Sequence, residues 1–243
     1  MKRIVTIGML MILSIITLGQ IQTQNMLKEI KCTPPQFTGV DKAVSVMPGK
    51  NFQSIEEYLM KNLVYPEVDA ADATQGTEVV QFVITPQGDI ADIKIVNSIS
   101  KQIDSRIISV LKTTNGMWKP GYNDDKPEAM EKEISLVFKI SELSYFDFYH
   151  WARKYFVKGN EMLMVKSTPQ KALEYYDKAM VLLPNDKALL VQRGLARYEV
   201  GDRNGALKDW TRVRNLGGVE SETFLNNFNG LKGYADLVNA LGK

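Results

Sequence analysis

The chain contains one histidine and one cysteine, His150 and Cys32, and this limits the chemistry it could perform. A Ser-His-Asp or Cys-His mechanism would have to use His150, and Cys32 is more than a hundred residues away from it. The same two residues cannot supply the usual zinc ligand sets, and a single cysteine forms no internal disulfide. We therefore predict that the protein is not an enzyme and holds no metal ion or cofactor. A hydrolase that uses His150 is the enzymatic alternative, and it would need an activity that disappears in His150→Ala.

The acidic and glycine-rich stretches do not indicate a metal-binding or phosphate-binding site either. Four loop aspartates lack the spacing of a calcium-binding loop, namely Asp69, Asp72, Asp124 and Asp125. Gly217-Gly218 follows a predicted helix without the Lys-Ser or Lys-Thr pair of a phosphate-binding loop. These residues are interpreted as solvated loop positions.

The amino terminus is typical of a secretory signal peptide. Lys2 and Arg3 precede an almost unbroken apolar run over residues 4–18, and small residues follow before a cleavage position ahead of Gln20. We predict a signal peptide over residues 1–19 and an extended leader over 20–34. A retained membrane anchor is the alternative, although about fifteen apolar residues fall short of the roughly 20 that span a bilayer.

The composition is typical of a globular protein, and the charges balance once the predicted signal peptide is left out. The 243 residues are 44% hydrophobic and 24% charged, which suffices for one large or two small domains. Without Lys2 and Arg3, the 30 basic residues fall to 28, equal to the 28 acidic ones. That balance predicts no binding to nucleic acid, and contact with a membrane only if the amino-terminal segment is retained.

A β-hairpin over residues 76–98 is the clearest local prediction. Two runs rich in β-branched residues, 79–84 and 90–96, flank Thr85-Pro86-Gln87-Gly88-Asp89, where proline and glycine favour a turn. A helix capped by Ser54 precedes the hairpin, and a second helix with Ile103, Ile107 and Leu111 on one face follows it. Alternation over 133–140 predicts a third strand, so residues 35–140 form an α+β domain in which two helices cover a small antiparallel three-stranded sheet.

Several short motifs in this part of the chain resemble the carboxy-terminal domain of TonB. They occur in the family's order and are Pro35-Gln36-Phe37-Thr38-Gly39, Tyr58-Leu59, Tyr65-Pro66, Gln75-Gly76, Gln87-Gly88-Asp89-Ile90, Trp118-Lys119-Pro120-Gly121 and Leu136-Val137-Phe138. The resemblance implies an envelope domain that binds extended segments of outer-membrane receptors by strand addition. It places recognition on the edge of the last strand, at Glu133, Ser135, Val137 and Lys139.

Beyond residue 141 the pattern changes to helices that repeat every 34 residues. Ala172, Tyr176, Ala179 and Pro184 recur as Ala206, Trp210, Val213 and Gly218. This period resembles tetratricopeptide repeats, so we predict an all-α array over residues 145–243 with a carboxy-terminal cap after 221. One extra residue in the first copy is assigned to the loop at 164–168, and the aromatic cluster around Tyr149 and Trp151 is expected to pack as core that docks the array onto the sheet, or to form a ligand patch.

The inner face of the array is predicted to bind a second protein or peptide. The candidate residues on it are Phe156, Asn160, Leu163, Val191, Leu195 and Tyr198. The leading hypothesis is thus an exported, periplasmic, non-enzymatic interaction protein of the bacterial cell envelope, whose partners include outer-membrane receptors. The alternative is an inner-membrane-anchored transducer of the TonB type that supplies energy for receptor-dependent transport. The chain lacks the long Pro-rich spacer of such a transducer, and it would need a retained anchor.

Overall fold

The computed structural model describes residues 31–39, 54–63, 74–139, 148–219 and 221–242. The predicted signal peptide and most of the predicted leader lie outside these residues. Within them, a sheet with two covering helices is followed by a set of helices, in the order that the sequence predicts.

The central sheet has three antiparallel strands, β3 (Gly76–Ile84), β4 (Ile90–Asn97) and β8 (Met130–Phe138), in the order β4-β3-β8. The predicted hairpin is confirmed as β3 and β4, and Gly88 in its turn has a φ of +86°. A Cβ at Gly88 would lie 2.5 Å from the carbonyl oxygen of Trp118, so the turn needs glycine for both its conformation and its contact. The predicted third strand is also present, but it begins three residues earlier and ends two earlier than 133–140.

Two helices bury the inner face of this sheet, α1 (Ile55–Asn62) and α2 (Lys101–Lys112). Ser54 caps α1 by accepting the backbone N–H of Glu57, as its sequence predicts, and Ser100 caps α2 in the same way. Their apolar faces pack against alternate residues of β3 and β8. The buried cluster consists of Ile55, Leu59, Val80, Phe82, Ile84, Ile103, Ile107, Leu111, Trp118, Ile134, Leu136 and Phe138.

Five short strands pair the end of the predicted leader and the segment after it with residues 118–128 of the sheet domain. They are β1 (Cys32–Thr33), β2 (Gln36–Phe37), β5 (Trp118–Lys119), β6 (Gly121–Asn123) and β7 (Lys126–Glu128). β1 pairs with β6 and β2 with β5, so the ordered fold starts before residue 36. Asp124 and Asp125, interpreted from sequence as loop positions, form a tight hairpin turn between β6 and β7 in which both have positive φ.

The helical part contains two helix pairs and a two-helix cap. The helices are α3 (Phe148–Asn160), α4 (Pro169–Leu182), α5 (Lys187–Glu199), α6 (Arg203–Asn215), α7 (Glu222–Asn226) and α8 (Tyr234–Ala240). In each pair a glycine of the first helix lies against an aromatic ring of the second. A Cβ at Gly159 would overlap Tyr176, and one at Gly194 would overlap Trp210. The 34-residue repeat in sequence is therefore also a repeat of the same packing contact.

The extra residue of the first pair lies within a helix. A π-helical turn, Glu161–Val165, continues α3, and a π turn accommodates one inserted residue without breaking the helix. Lys166 closes this turn through its N–H to the Glu161 carbonyl, and Ser167 then takes a φ of +50°. The predicted position at 164–168 is thus too late, because the helix widens before the loop begins. The sequence Thr168-Pro169 is typical of a capped helix start, and α4 does begin at Pro169. Thr168 nevertheless gives no side-chain cap, since its hydroxyl donates to the Met162 carbonyl at 3.2 Å.

Candidate protein-binding surfaces

β8 forms one edge of the central sheet. It pairs with β3 along all nine of its residues, from Gly76↔Phe138 to Ile84↔Met130, and no other described strand pairs with it. Ile134, Leu136 and Phe138 point into the core, so Glu133, Ser135 and Val137 lie on the opposite face. Val137 is 46% exposed, and Ser135 and Lys139 are also exposed. The outer edge of β8 therefore has the geometry that strand addition needs.

Glu133 contacts the helical part of the protein. Arg212 of α6 donates from Nη1 and Nη2 to the two carboxylate oxygens of Glu133, each at 2.5 Å, and from Nη2 to Asn185 Oδ1 at 2.7 Å. Gln81 on β3 donates to the same carboxylate at 2.8 Å. These side chains are only partly exposed, 14% for Arg212 and 24% for Glu133. Of the four strand residues predicted to bind a partner, Glu133 therefore has its carboxylate engaged within the protein.

The carboxyl end of α4 contacts the beginning of β3. The Thr77 hydroxyl donates to the Leu182 carbonyl at 2.8 Å, and a Cβ at Gly76 would lie 2.6 Å from Ile99 and 2.8 Å from Val181. Together with Arg212, these contacts hold the helices against the outer face of β3 and β8. The predicted aromatic cluster also includes Tyr145 and Phe146, which lie outside the described residues, and its other members show core packing only in part. Phe148 and Trp151 pack in the helical core, although Lys139 lies 5.3 Å from the Phe148 ring, and Tyr149 is 64% exposed.

The six residues predicted on the inner face of the helices fall into two groups. Leu163, Val191 and Leu195 are at most 4% exposed and belong to the helical core, so their side chains do not form an open surface. Phe156, Asn160 and Tyr198 are partly exposed. Periodicity correctly placed all six on helices, but it could not separate a residue that lines a groove from one that lies beneath it.

Two of the three partly exposed residues make contacts within the protein. The Asn160 side-chain oxygen accepts the Tyr176 hydroxyl at 2.8 Å. Tyr198 stacks on Trp210 with ring centroids 6.0 Å apart, and Gly233 lies against its ring. A hydrogen bond with Asp236 raises the pKa of Tyr198. The carboxy-terminal cap thus covers the inner face of the second helix pair at Tyr198.

A cleft remains beside Phe156 in the first pair. It has a volume of about 190 Å³ and lies between α3 and the start of α5. The described residues that line it are Tyr149, Ala152, Arg153, Phe156, Leu183, Asp186, Ala188 and Leu189. Most of this lining is apolar, and Arg153 supplies one positive charge at its border.

His150 and Cys32, the two residues considered above for catalysis, are both at the surface. His150 is exposed on α3 with its ring edge-on to Trp151, and Cys32 is exposed on β1. No group of three or more potential metal ligands occurs among the described residues. In the same part of the chain, no helix has the length and apolar character needed to cross a membrane.

A buried acidic pair under α2 was not found from sequence. Glu78 on β3 is fully buried and accepts the Ile99 N–H at 2.9 Å, while Asp104 of α2 lies beside it. Glu78 Oε1 and Asp104 Oδ1 have no hydrogen-bond donor among the described groups. The Glu78 pKa is raised to about 8, mainly because the side chain is buried; the hydrogen bond from the Ile99 N–H opposes this increase, and the neighbouring Asp104 adds to it. Strand alternation could have signalled this site, because it places Glu78 on the same face as Val80 and Phe82.

Comparison with known proteins gives a family match within the sheet domain. Residues 61–140 match the family model of the Gram-negative bacterial TonB protein C-terminal. The NMR solution structure of Helicobacter pylori TonB-CTD (residues 194–285) is 21% identical in sequence, with a TM-score of 0.30, and the match covers 36% of this chain and 91% of that one. No curated protein matches the chain. The predicted TonB carboxy-terminal resemblance is confirmed over residues 61–140, and the tetratricopeptide assignment stays a prediction.

Proposed function

We propose that the protein is an exported, non-enzymatic interaction protein of the bacterial cell envelope, which binds an extended segment of a partner protein at the outer edge of β8. One observation supports this above all: β8 is a nine-residue edge strand of a TonB C-terminal-like domain, with exposed Ser135 and Val137. Its backbone groups on that side can pair with a strand from another chain, as in other cases of strand addition. Outer-membrane receptors are the proposed partners and the periplasm the proposed location.

The helices serve as a second binding module in this proposal. The 34-residue period and the equivalent glycine–aromatic contacts, Gly159 with Tyr176 and Gly194 with Trp210, support a short tetratricopeptide array. Two repeats are fewer than the three or so that usually fold stably, and the cap formed by α7 and α8, together with the contact to the sheet, supplies the missing support. The contacts of Arg212 with Glu133 and of Thr77 with Leu182 join the array to the sheet that carries the β8 edge.

Site-specific photo-crosslinking in cells tests the β8 surface. The photo-crosslinking residue benzoylphenylalanine is placed at Val137 and, as a control, at Val96. Val96 lies on β4, the opposite edge strand, and its side chain is 36% exposed. We expect Val137 to give a crosslink to an outer-membrane protein and Val96 to give none. Equal crosslinking from both positions, or none from Val137, would contradict recognition at β8. Sequencing of the native amino terminus separates the exported protein, which starts at Gln20, from the anchored transducer.

A further inference from the structure

The cleft beside Phe156 is the part of the inner helical face that is lined by both helix pairs. Ala152 and Phe156 of α3 form one wall, and Leu183, Ala188 and Leu189 form the other. An apolar cavity of roughly 150 Å³ is large enough for a benzene ring, so about 190 Å³ accommodates one aromatic or branched aliphatic side chain. The equivalent inner face of the second pair, at Tyr198, is covered by the cap.

The helix that forms the first wall is purely cationic. α3 contains Arg153, Lys154 and Lys158 but no Asp or Glu between residues 148 and 160, and all three cationic side chains are exposed. Lys154 lies 4.6 Å from the Trp151 ring and Lys158 lies 5.7 Å from the Tyr175 ring. The exposed face of α3 is therefore suited to an acidic partner.

Arg153 differs from three other arginines of the helices. Arg193 and Arg197 contact Asp209, and Arg212 contacts Glu133. Arg153 lines the cleft and makes no ion pair with any described residue. The one acid in the cleft lining, Asp186, uses its Oδ1 to cap α5 by accepting the Leu189 N–H at 2.8 Å. A guanidinium at the border of an apolar cleft can bind a carboxylate through two parallel hydrogen bonds.

We infer that this cleft binds an acidic peptide segment of a partner protein, with one aromatic or branched aliphatic side chain in the cavity and an adjacent Asp or Glu on Arg153. The inference rests on the proposed function, since it assigns a ligand chemistry to the helical module. The apolar side chain supplies buried area, and the carboxylate fixes the orientation of the peptide. Lys154 and Lys158 favour further acids along the segment.

Selection from a phage library of short random peptides tests the inference with the full-length mature protein. The selected peptides are then synthesised, and their affinities are measured by fluorescence anisotropy at low and high ionic strength. Arg153→Glu reverses the charge at the border, and Ala188→Phe fills the cavity from its partly exposed wall. Lys208→Glu makes the same change of charge at an exposed position of α6 and is the matched control. Thermal unfolding of each variant checks that it is folded.

The expected peptides contain an aromatic or branched aliphatic residue next to Asp or Glu. We expect Arg153→Glu to weaken their binding at least about tenfold, Ala188→Phe to abolish it, and Lys208→Glu to leave it unchanged. High ionic strength should weaken binding to the wild type but not the residual binding to Arg153→Glu.

The inference is overturned if no peptide is selected, if the selected peptides lack acidic residues, or if they bind Arg153→Glu as tightly as the wild type. Arg153-dependent binding to phosphatidylglycerol vesicles with no peptide selected would overturn it as well, in favour of a lipid surface. Loss of this inference leaves crosslinking from Val137 unaffected. Conversely, absence of that crosslink with intact peptide binding would refute only the role of β8.

Discussion

Replacing Glu78 with glutamine should stabilise the protein, and more so as the pH rises. Glu78 has a pKa of about 8 in the folded protein, against 4.5 for the ordinary side chain. Between these values the folded state holds a proton that the unfolded state has released. The free energy of unfolding therefore falls as the pH rises from 4.5 to 8, by about 1.4 kcal/mol per pH unit for this group alone.

The structure gives the size of the effect at neutral pH. At pH 7 the pH lies about 2.5 units above the ordinary pKa of 4.5 and still below the folded-state pKa of about 8. Over this interval the free energy of unfolding therefore falls by about 3 kcal/mol because of Glu78. Glutamine has no such proton to release. Its amide oxygen can accept the Ile99 N–H, and its amide NH₂ can donate to Asp104, as a protonated carboxyl does. Glu78→Gln should thus gain about 3 kcal/mol at pH 7 and almost nothing at pH 4.5.

Urea unfolding at a series of pH values between 4.5 and 8 measures this difference. Glu131→Gln, on the neighbouring β8 at an exposed position, is the control and should show no such dependence on pH. If Glu78→Gln is no more stable than the wild type at pH 7.5, or if its advantage does not grow with pH, Glu78 does not carry a buried proton.

Two further changes test the packing of the helices. Arg212→Gln should lower the free energy of unfolding by about 1–3 kcal/mol, because it removes the charged donor that pairs with the partly buried Glu133 carboxylate. The control is Lys208→Gln, at an exposed position of α6, which should have little effect. Urea unfolding compares the two variants. Gly194→Ala should cost about 1–3 kcal/mol, since its methyl group would overlap Trp210. Gly230→Ala, where no atom lies within 4 Å of an added Cβ, is the control, and equal thermal stability of the two alanine variants would contradict the packing argument.

Local signals in the sequence were sufficient for the long strands, for most of the helices and for much of the core. The turn around Gly88, the cap at Ser54, and the periodicity of Ile103, Ile107 and Leu111 act over a few residues, so each can be interpreted from spacing alone. Thr168 marked the start of α4 even though its side chain does not cap the helix. The hairpin at Asp124-Asp125 was missed because aspartate takes positive φ less often than glycine and gives a weaker turn signal.

The candidate surfaces were only partly predictable. The sequence indicated an edge strand at 133–140 and a helical face that includes Phe156, and both elements exist. A partner can contact only exposed side chains. Whether a side chain is exposed depends on which parts of the folded chain pack over it. Leu163, Val191 and Leu195 share the helical face of Phe156, but all three are buried in the helical core.

The sequence by itself determined the order of the elements, the TonB C-terminal resemblance, the 34-residue repeat and the presence of a single histidine and a single cysteine. Only the tertiary structure decided how the helices pack on the sheet, because that contact joins Glu133 to Arg212, 79 residues apart, with no motif of its own. The raised pKa of Glu78 and the cleft at Arg153 likewise depend on groups from separate elements. Burial and charge pairing arise from the whole fold, whereas helices, strands and turns arise from neighbours in the chain.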